Sequence, residues 1–221
     1  MATRRRSPRH LPVRVERLAD GRQVLEVGGV VQSVLPQPDA PADDPANGGY
    51  WPAMLPARCP RRALLLGLGG GTVARLLARR CPAVELVGVE CDEAVLATAR
   101  AEFALDAVAR LRVDVADAFA WVPLAAAEEP ASYDYICLDL FEAGRLAQGA
   151  LATEFLRQVA ALLAPRGGVA VNLMVTGRTP EQLRRLRRVF HLERTTRVRG
   201  NVVVHARPLR PDEAAAPETP E

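Results

Sequence analysis

The sequence predicts an α/β fold: a mostly parallel sheet covered by helices, closed by an antiparallel C-terminal hairpin and preceded by a small N-terminal β-meander. Three observations predict it. Between about residues 62 and 176, short apolar runs alternate with segments of helical periodicity, the pattern of β-α-β units around a parallel sheet. Two β-type runs, HLERTTRV and VVVHARP, flank Arg199-Gly200-Asn201 and read as a hairpin. Three more, PVRVERL, RQVLEV and VVQSVL, are separated by Ala19-Asp20-Gly21 and by Gly28-Gly29 and read as the meander.

Taken in order, a Pro-rich stretch follows the meander, PQPDAPADDPANGGYWP, expected to be a surface loop or lid. ALLLG at 63–67 is a strand ending in glycines, and TVARLLARR at 72–80 is a helix with Val73, Leu76 and Leu77 on one face. ELVGVE at 85–90 is the second strand, followed by the helix DEAVLATARAEF, whose opening acids suit the helix dipole. RLRVDV at 110–115 and YDYICLDL at 133–140 are the third and fourth strands. TEFLRQVAALLA at 153–164 is a helix with Phe155, Val159, Leu162 and Leu163 on one face, ended by Pro165-Arg166-Gly167-Gly168 before a fifth strand, GVAVNLMV. Thr179-Pro180-Glu181-Gln182 predicts a capping box with Pro at the first helical position. The resulting domain expectation is a disordered basic arm at 1–10, the meander and Pro-rich loop at 11–56, a Rossmann-like nucleoside-binding domain at 57–208 and a disordered acidic tail at 209–221.

Composition bounds the function. The 221 residues are 49% hydrophobic with mean hydropathy near zero, enough for one substantial core. No run of about 18 uncharged apolar residues exists, so no membrane span is expected. The start, MATRRRSPRH, is followed by no apolar stretch of the secretory kind. All 29 basic residues are arginine, and a net charge of +3 does not argue for nucleic acid. The eight arginines within 178–199 read as a solvated face. Cys59, Cys81, Cys91 and Cys137 form no C-x-x-C pair, so neither a zinc site nor a redox motif is expected. With nothing indicating export, disulfides are not expected either, and the expected location is cytoplasmic. His10, His191 and His205 show no ligand spacing and are assigned no catalytic part.

The sharpest local signal is Gly67-Leu68-Gly69-Gly70-Gly71-Thr72, between a strand and a helix. Glycines there let backbone approach a ligand, and the helix start supplies N–H groups. Glu90 ends the next strand, 21 residues beyond Gly69, where a carboxylate can accept from both hydroxyls of a ribose. The spacing Gly67-x-Gly69-x-Gly71 matches an S-adenosylmethionine (SAM) site better than the G-x-G-x-x-G of nicotinamide units. Asp117, after the third strand, is placed to meet an adenine amine, with the Ala118 N–H on a ring nitrogen; the same Asp also reads as a helix N-cap. The fold expectation sharpens to the Rossmann-like class I SAM-methyltransferase fold.

With these residues in place, residues 11–207 resemble the polyamine aminopropyltransferase, or spermidine synthase, family. A meander precedes the nucleoside fold; its last strand, Gly29-Val30-Val31-Gln32-Ser33, is similar to the family strand carrying a cofactor-contacting Gln, here Gln32. Tyr50-Trp51-Pro52-Ala53-Met54-Leu55 resembles the family's Tyr-His segment, and Tyr133-Asp134-Tyr135-Ile136-Cys137-Leu138-Asp139-Leu140-Phe141-Glu142 its Y-D-x-I-x-x-D-x-x-D motif. The resemblance implies that Asp139 is the base that takes a proton from an attacking amine, that Glu142 is the second acid, and that Tyr50 and Trp51 contact the substrate. It also implies SAM or decarboxylated SAM as co-substrate with no metal, a small-molecule amine acceptor and a homodimer. The chain departs from the pattern at Gly70, where the family has Asp, at Trp51 in place of His, and at Glu142 in place of the second Asp. Three functions stay open: aminopropyl transfer, SAM-dependent methyl transfer to a small molecule, and nucleoside binding without catalysis. One fold hosts all three.

Overall fold

Valine- and leucine-rich segments without polar alternation form the middle of the sheet, where both faces are covered. In the computed structural model, residues 11–35, 49–210 and Glu213 are described. The expected basic arm, residues 36–48 of the Pro-rich loop and most of the acidic tail lie outside them. The meander is a three-stranded antiparallel sheet of β1 (Val13–Arg17), β2 (Gln23–Val27) and β3 (Val30–Leu35), as expected. The remaining long strands are β4 (Arg62–Leu66), β5 (Glu85–Glu90), β6 (Leu111–Val115), β7 (Tyr133–Leu138), β10 (Leu163–Met174), β11 (Phe190–Val198) and β12 (Asn201–Pro208). They form one sheet in the order β11-β12-β10-β7-β4-β5-β6, parallel except for β12, which runs antiparallel to both of its neighbours. A short hairpin, β8 (Phe141–Glu142) with β9 (Arg145–Leu146), follows β7 and lies outside the expected elements.

Strand pleating splits the core in two. Leu64, Leu66, Ile136 and Leu138 face one side, packed by α3 (Ala118–Glu128), α4 (Thr153–Leu162) and α5 (Thr179–Arg187). Ala63, Leu65, Tyr135 and Cys137 face the other, packed by α1 (Thr72–Arg80), α2 (Glu93–Glu102) and the 3₁₀ turn Trp51–Met54. On α4, Phe155, Leu156, Val159 and Leu162 are buried; full burial contributes about 1.5–3 kcal/mol per side chain of this size. The meander is tied to this body at Val34, whose N–H donates to Thr72 Oγ1 (3.0 Å) while the same hydroxyl donates to the Val34 carbonyl (3.0 Å).

Four expectations are corrected. Cys59 and Cys81 form a disulfide, with Cα atoms 5.5 Å apart. Their proximity is tertiary: the segment leaving the 3₁₀ turn lies along the end of α1, where Arg80 Nη2 donates to the Ala57 carbonyl (3.3 Å), and composition carries no trace of that approach. The capping box at Thr179 does not form. The N-cap is Arg178, and the Thr179 hydroxyl is used in the preceding turn, accepting from the Thr176 N–H (2.9 Å) and donating to the Thr176 carbonyl (2.8 Å). The turn Pro165–Gly168 does not separate α4 from a later strand: β10 begins at Leu163 and shifts register against β7 between Leu163 and Gly168. Glu213, assigned to the disordered tail, is held by Arg207 (2.6 and 2.7 Å).

Candidate active site

The C-terminal ends of β4, β5, β6 and β7 open into a cavity of about 400 Å³, the position where open parallel sheets bind ligands. The meander covers it through Gln32 and Ser33; the β8–β9 hairpin borders it through Glu142.

Glu90 turns toward the glycine loop. Its Oε2 accepts from the Gly69 N–H (2.9 Å), and its Oε1 accepts from the N–H groups of Cys91 (2.9 Å) and Asp92 (3.1 Å). A carboxylate offers about four lone-pair sites, so the carboxyl is fixed in place with room for about one further donor. The loop itself is tighter than expected. Gly67 N–H donates to the Val89 carbonyl, Gly70 N–H to Ser33 Oγ (2.7 Å) and Gly71 N–H to the Leu68 carbonyl. These amides are therefore engaged by the protein rather than left for a ligand. A Cβ at Gly67 would lie 2.2 Å from the Asp139 carbonyl oxygen, so this glycine permits the close approach of the β4 and β7 exits. Beneath the loop, the Arg75 guanidinium donates to the carbonyls of Gly70 (2.6 Å), Phe103 (2.9 Å) and Val34 (3.1 Å). Burial lowers its pKa to about 10, so it stays charged at neutral pH.

Asp117 is the N-cap of α3, accepting from the Phe119 N–H (2.9 Å), and it also lines the cavity. The N-cap reading of this residue holds, and the cap stands on the cavity wall. Ala118, the first residue of α3, lines the cavity with an N–H that helical geometry leaves without an intrahelical acceptor. Cys91 lines it too, but burial and the nearby Glu90, Asp117 and Asp92 push its thiol up to about 11. It stays protonated and weakly nucleophilic at neutral pH.

The opposite wall is a side-chain network. Asp139 Oδ2 accepts from the Tyr50 hydroxyl (2.7 Å) and Oδ1 from Asn172 Nδ2 (2.9 Å); Asn201 Nδ2 in turn donates to Asn172 Oδ1 (3.0 Å). Burial raises Asp139 to about 6; the Asn172 and Tyr50 hydrogen bonds work against the rise, and the charge of Glu90 adds to it. Burial, then the charge of Asp139, pushes the Tyr50 phenol well above its ordinary value, so it remains a donor. Trp51 lines the cavity, its ring 5.0 Å from that of Tyr50. Of the expected site residues, Gln32, Gly67, Gly69, Glu90, Asp117, Ala118, Trp51, Asp139 and Glu142 reach the cavity wall, whereas Gly71 and Tyr50 stand behind it. Ser33, Arg75, Asn172 and Asn201 were not foreseen; only Ser33, beside Gln32 in VVQSVL, had a signal within reach.

A methyltransferase-domain family model matches residues 63–167. A polyamine aminopropyltransferase of Vibrio vulnificus is 31% identical over 119 residues, covering 54% of this chain and 40% of that protein. A probable spermidine synthase from Corynebacterium glutamicum superposes with a TM-score of 0.69 at 24% identity, over 88% of this chain and 76% of the other. The chain has the class I methyltransferase fold, and its sequence is similar to polyamine aminopropyltransferases. Human methyltransferase-like protein 13 in complex with SAH superposes with a TM-score of 0.60 at 26% identity, over 70% of this chain and 77% of the other. The chain spans about two fifths of the length of the curated Vibrio relative.

Proposed function

We propose that the chain is a transferase that moves an aminopropyl group from decarboxylated SAM to a small amine. The observation that carries this reading is the charge of the wall: among the described residues, every charged side chain lining the cavity is acidic, namely Glu90, Asp92, Asp117, Asp139 and Glu142. Such a wall attracts cations and offers a substrate carboxylate no basic partner. The N–H groups of Gly67, Gly69, Gly70 and Gly71 already donate to acceptors of the protein. A sulfonium donor with an amine tail suits this site, and so does an ammonium acceptor.

The donor brings a carbon activated by the adjacent sulfonium and a neutral thioether as leaving group. The chain's part is to position and to move a proton. Glu90 holds the donor's sugar by one hydroxyl, and Asp117 and Ala118 face its base. Asp139 binds the acceptor's ammonium and takes one proton, freeing the lone pair that forms the new N–C bond as the C–S bond breaks. Its raised pKa narrows the gap to the ammonium and eases that transfer. Glu142, on the exposed hairpin, steers the second end of the acceptor. A homodimer belongs to the same proposal, supported by the sequence resemblance.

Incubation with decarboxylated SAM and putrescine or a related amine is expected to release methylthioadenosine, with an acid limb near pH 6 above which Asp139 is ionised and turnover rises. SAM-dependent methyl transfer is the second reading, favoured by Gly70 in place of the family's Asp and by the methyltransferase-domain match. Tighter calorimetric binding of SAM than of decarboxylated SAM, with S-adenosylhomocysteine as product, would replace the first reading by the second.

A further inference from the structure

We infer that Tyr135 and His205 are positioning residues that latch the 3₁₀ turn Trp51–Met54 and so hold the Tyr50 hydroxyl on Asp139. The inference deepens the proposed function and rests on it for the role of Asp139, but the latch is visible in the geometry alone. The turn presents two carbonyls to the interior, and both are taken by the sheet. The Tyr135 hydroxyl donates to the Met54 carbonyl (2.9 Å), and His205 Nε2 lies 2.7 Å from the Ala53 carbonyl. The two side chains also touch, Tyr135 Oη lying 3.1 Å from His205 Nδ1. Tyr135 comes from β7, four residues before Asp139, and His205 from β12, two strands away across β10. The other end of the turn carries Tyr50, whose carbonyl accepts the Ala53 N–H (2.9 Å) and whose hydroxyl donates to Asp139 (2.7 Å). One short, stiff segment thus connects the latch to the acid.

Buried carbonyls without partners are costly, which is why a core tyrosine and a core histidine stand here rather than apolar residues. Met54 is fully buried and Trp51 nearly so. The charged and titratable groups around His205 are few. From β11, Arg194 Nη2 lies 2.9 Å from Nε2, and Glu193 acts from the same strand; Tyr135 faces the ring from β7, and the turn presents only the Ala53 carbonyl. Burial comes first among the causes that lower the ring's proton affinity; the Ala53 carbonyl raises it and Arg194 lowers it. In the tautomer with Nε2 protonated, the ring donates to Ala53 and the single Tyr135 proton serves Met54, so the turn is held at both carbonyls, while Tyr135–Nδ1 and Arg194–Nε2 are close contacts without a shared proton. The groups facing Asp139 are Tyr50, Asn172 and, through space, Glu90 and the protonated Cys137 thiol two residues earlier on β7.

The test is the titration of Asp139 itself, followed through its carbon-13 carboxyl resonance and assigned with Asp139→Asn. Tyr50→Phe removes a bond that lowers the midpoint, so the midpoint rises above about 6. Tyr135→Phe and His205→Leu, neither of which touches Asp139, are expected to raise it in the same direction by about half a pH unit, part of one hydrogen bond to a charge. The double variant Tyr50→Phe/Tyr135→Phe moves it no further than Tyr50→Phe alone, because both act through one bond. His205→Gln, which keeps a donor for Ala53, returns the midpoint toward that of the parent. An unmoved midpoint in Tyr135→Phe and His205→Leu, or additivity in the double variant, overturns the latch. A merely structural role would lower the melting temperature and leave the titration alone. Absence of transfer in the parent protein would sink the proposed function while the titration still decides the latch.

Discussion

The two walls of the cavity are built on opposite principles. On the donor side, one carboxylate, Glu90, is fixed by three backbone N–H groups, two of them from its own chain neighbours. On the acceptor side, Asp139 is fixed by two side chains, Tyr50 and Asn172, from segments 89 and 33 residues away, and Asn201 supports the second. Backbone donors stay where the loop puts them, so the donor wall is rigid as soon as the strand and glycine turn form. Side-chain donors depend on the packing of their own elements, so the acceptor wall is only as well placed as the 3₁₀ turn and strands β10 and β12. The same burial that raises Asp139 to about 6 leaves it dependent on those neighbours.

Variants can break this contrast. The largest expected effect is on turnover: Asp139→Asn should lower methylthioadenosine release about 10²- to 10⁴-fold, the usual range for a lost general base. Binding of methylthioadenosine should be unchanged, because Glu90 and the glycine loop are untouched. Equal loss of nucleoside binding by calorimetry would show that the walls are not separable. Next, Glu90→Ala strands the N–H groups of Gly69, Cys91 and Asp92 and should weaken nucleoside binding by about 100-fold, or about 3 kcal/mol. The titration midpoint of Asp139 should fall only slightly in that variant, since the charge of Glu90 contributes less to its rise than burial does.

Two smaller effects concern stability. Because the folded protein raises Asp139 from 3.8 to about 6, it binds a proton more tightly than the unfolded chain. Stability from this group is present below the unfolded value and is lost as pH rises through about 6. Asp139→Asn should therefore gain on the parent in thermal melts between pH 4 and pH 7, by at most about 3 kcal/mol. The gain is reduced because an amide cannot accept from both Tyr50 and Asn172. On the donor side, Gly70→Asp places a Cβ 2.7 Å from Ser33 Cβ and 2.9 Å from its Oγ. It should cost about 1–3 kcal/mol by denaturant titration. Ser33→Gly added to it should recover part of that loss, and failure to recover would place the strain elsewhere. Ser33 thus gives a steric reason for the glycine that stands where the related family has Asp.

Legibility in the sequence follows the same divide. The meander, the glycine turn, Glu90, the Asp117 cap and the closing hairpin were readable because each is written in neighbouring residues: apolar periodicity, turn dipeptides, a strand followed by glycines. Asp139 was reached through a motif. That Gly70 N–H is taken by Ser33 was not legible, because Ser33 comes from a strand 37 residues earlier. The Thr179 box was misread from a local pattern, the hydroxyl being spent on the preceding turn.

The sequence alone determined the fold class, the order of its elements and the carboxylate that faces the glycine loop, since these depend on spacing along the chain and on which face of a strand or helix is apolar. Only the tertiary structure decided that Cys59 meets Cys81, that Tyr50 and Asn172 share Asp139, and that Tyr135 and His205 hold the turn behind them. Those contacts join residues whose separation carries no pattern. They exist because burying the sheet's two faces brings distant polar groups together, and buried polar groups must find partners.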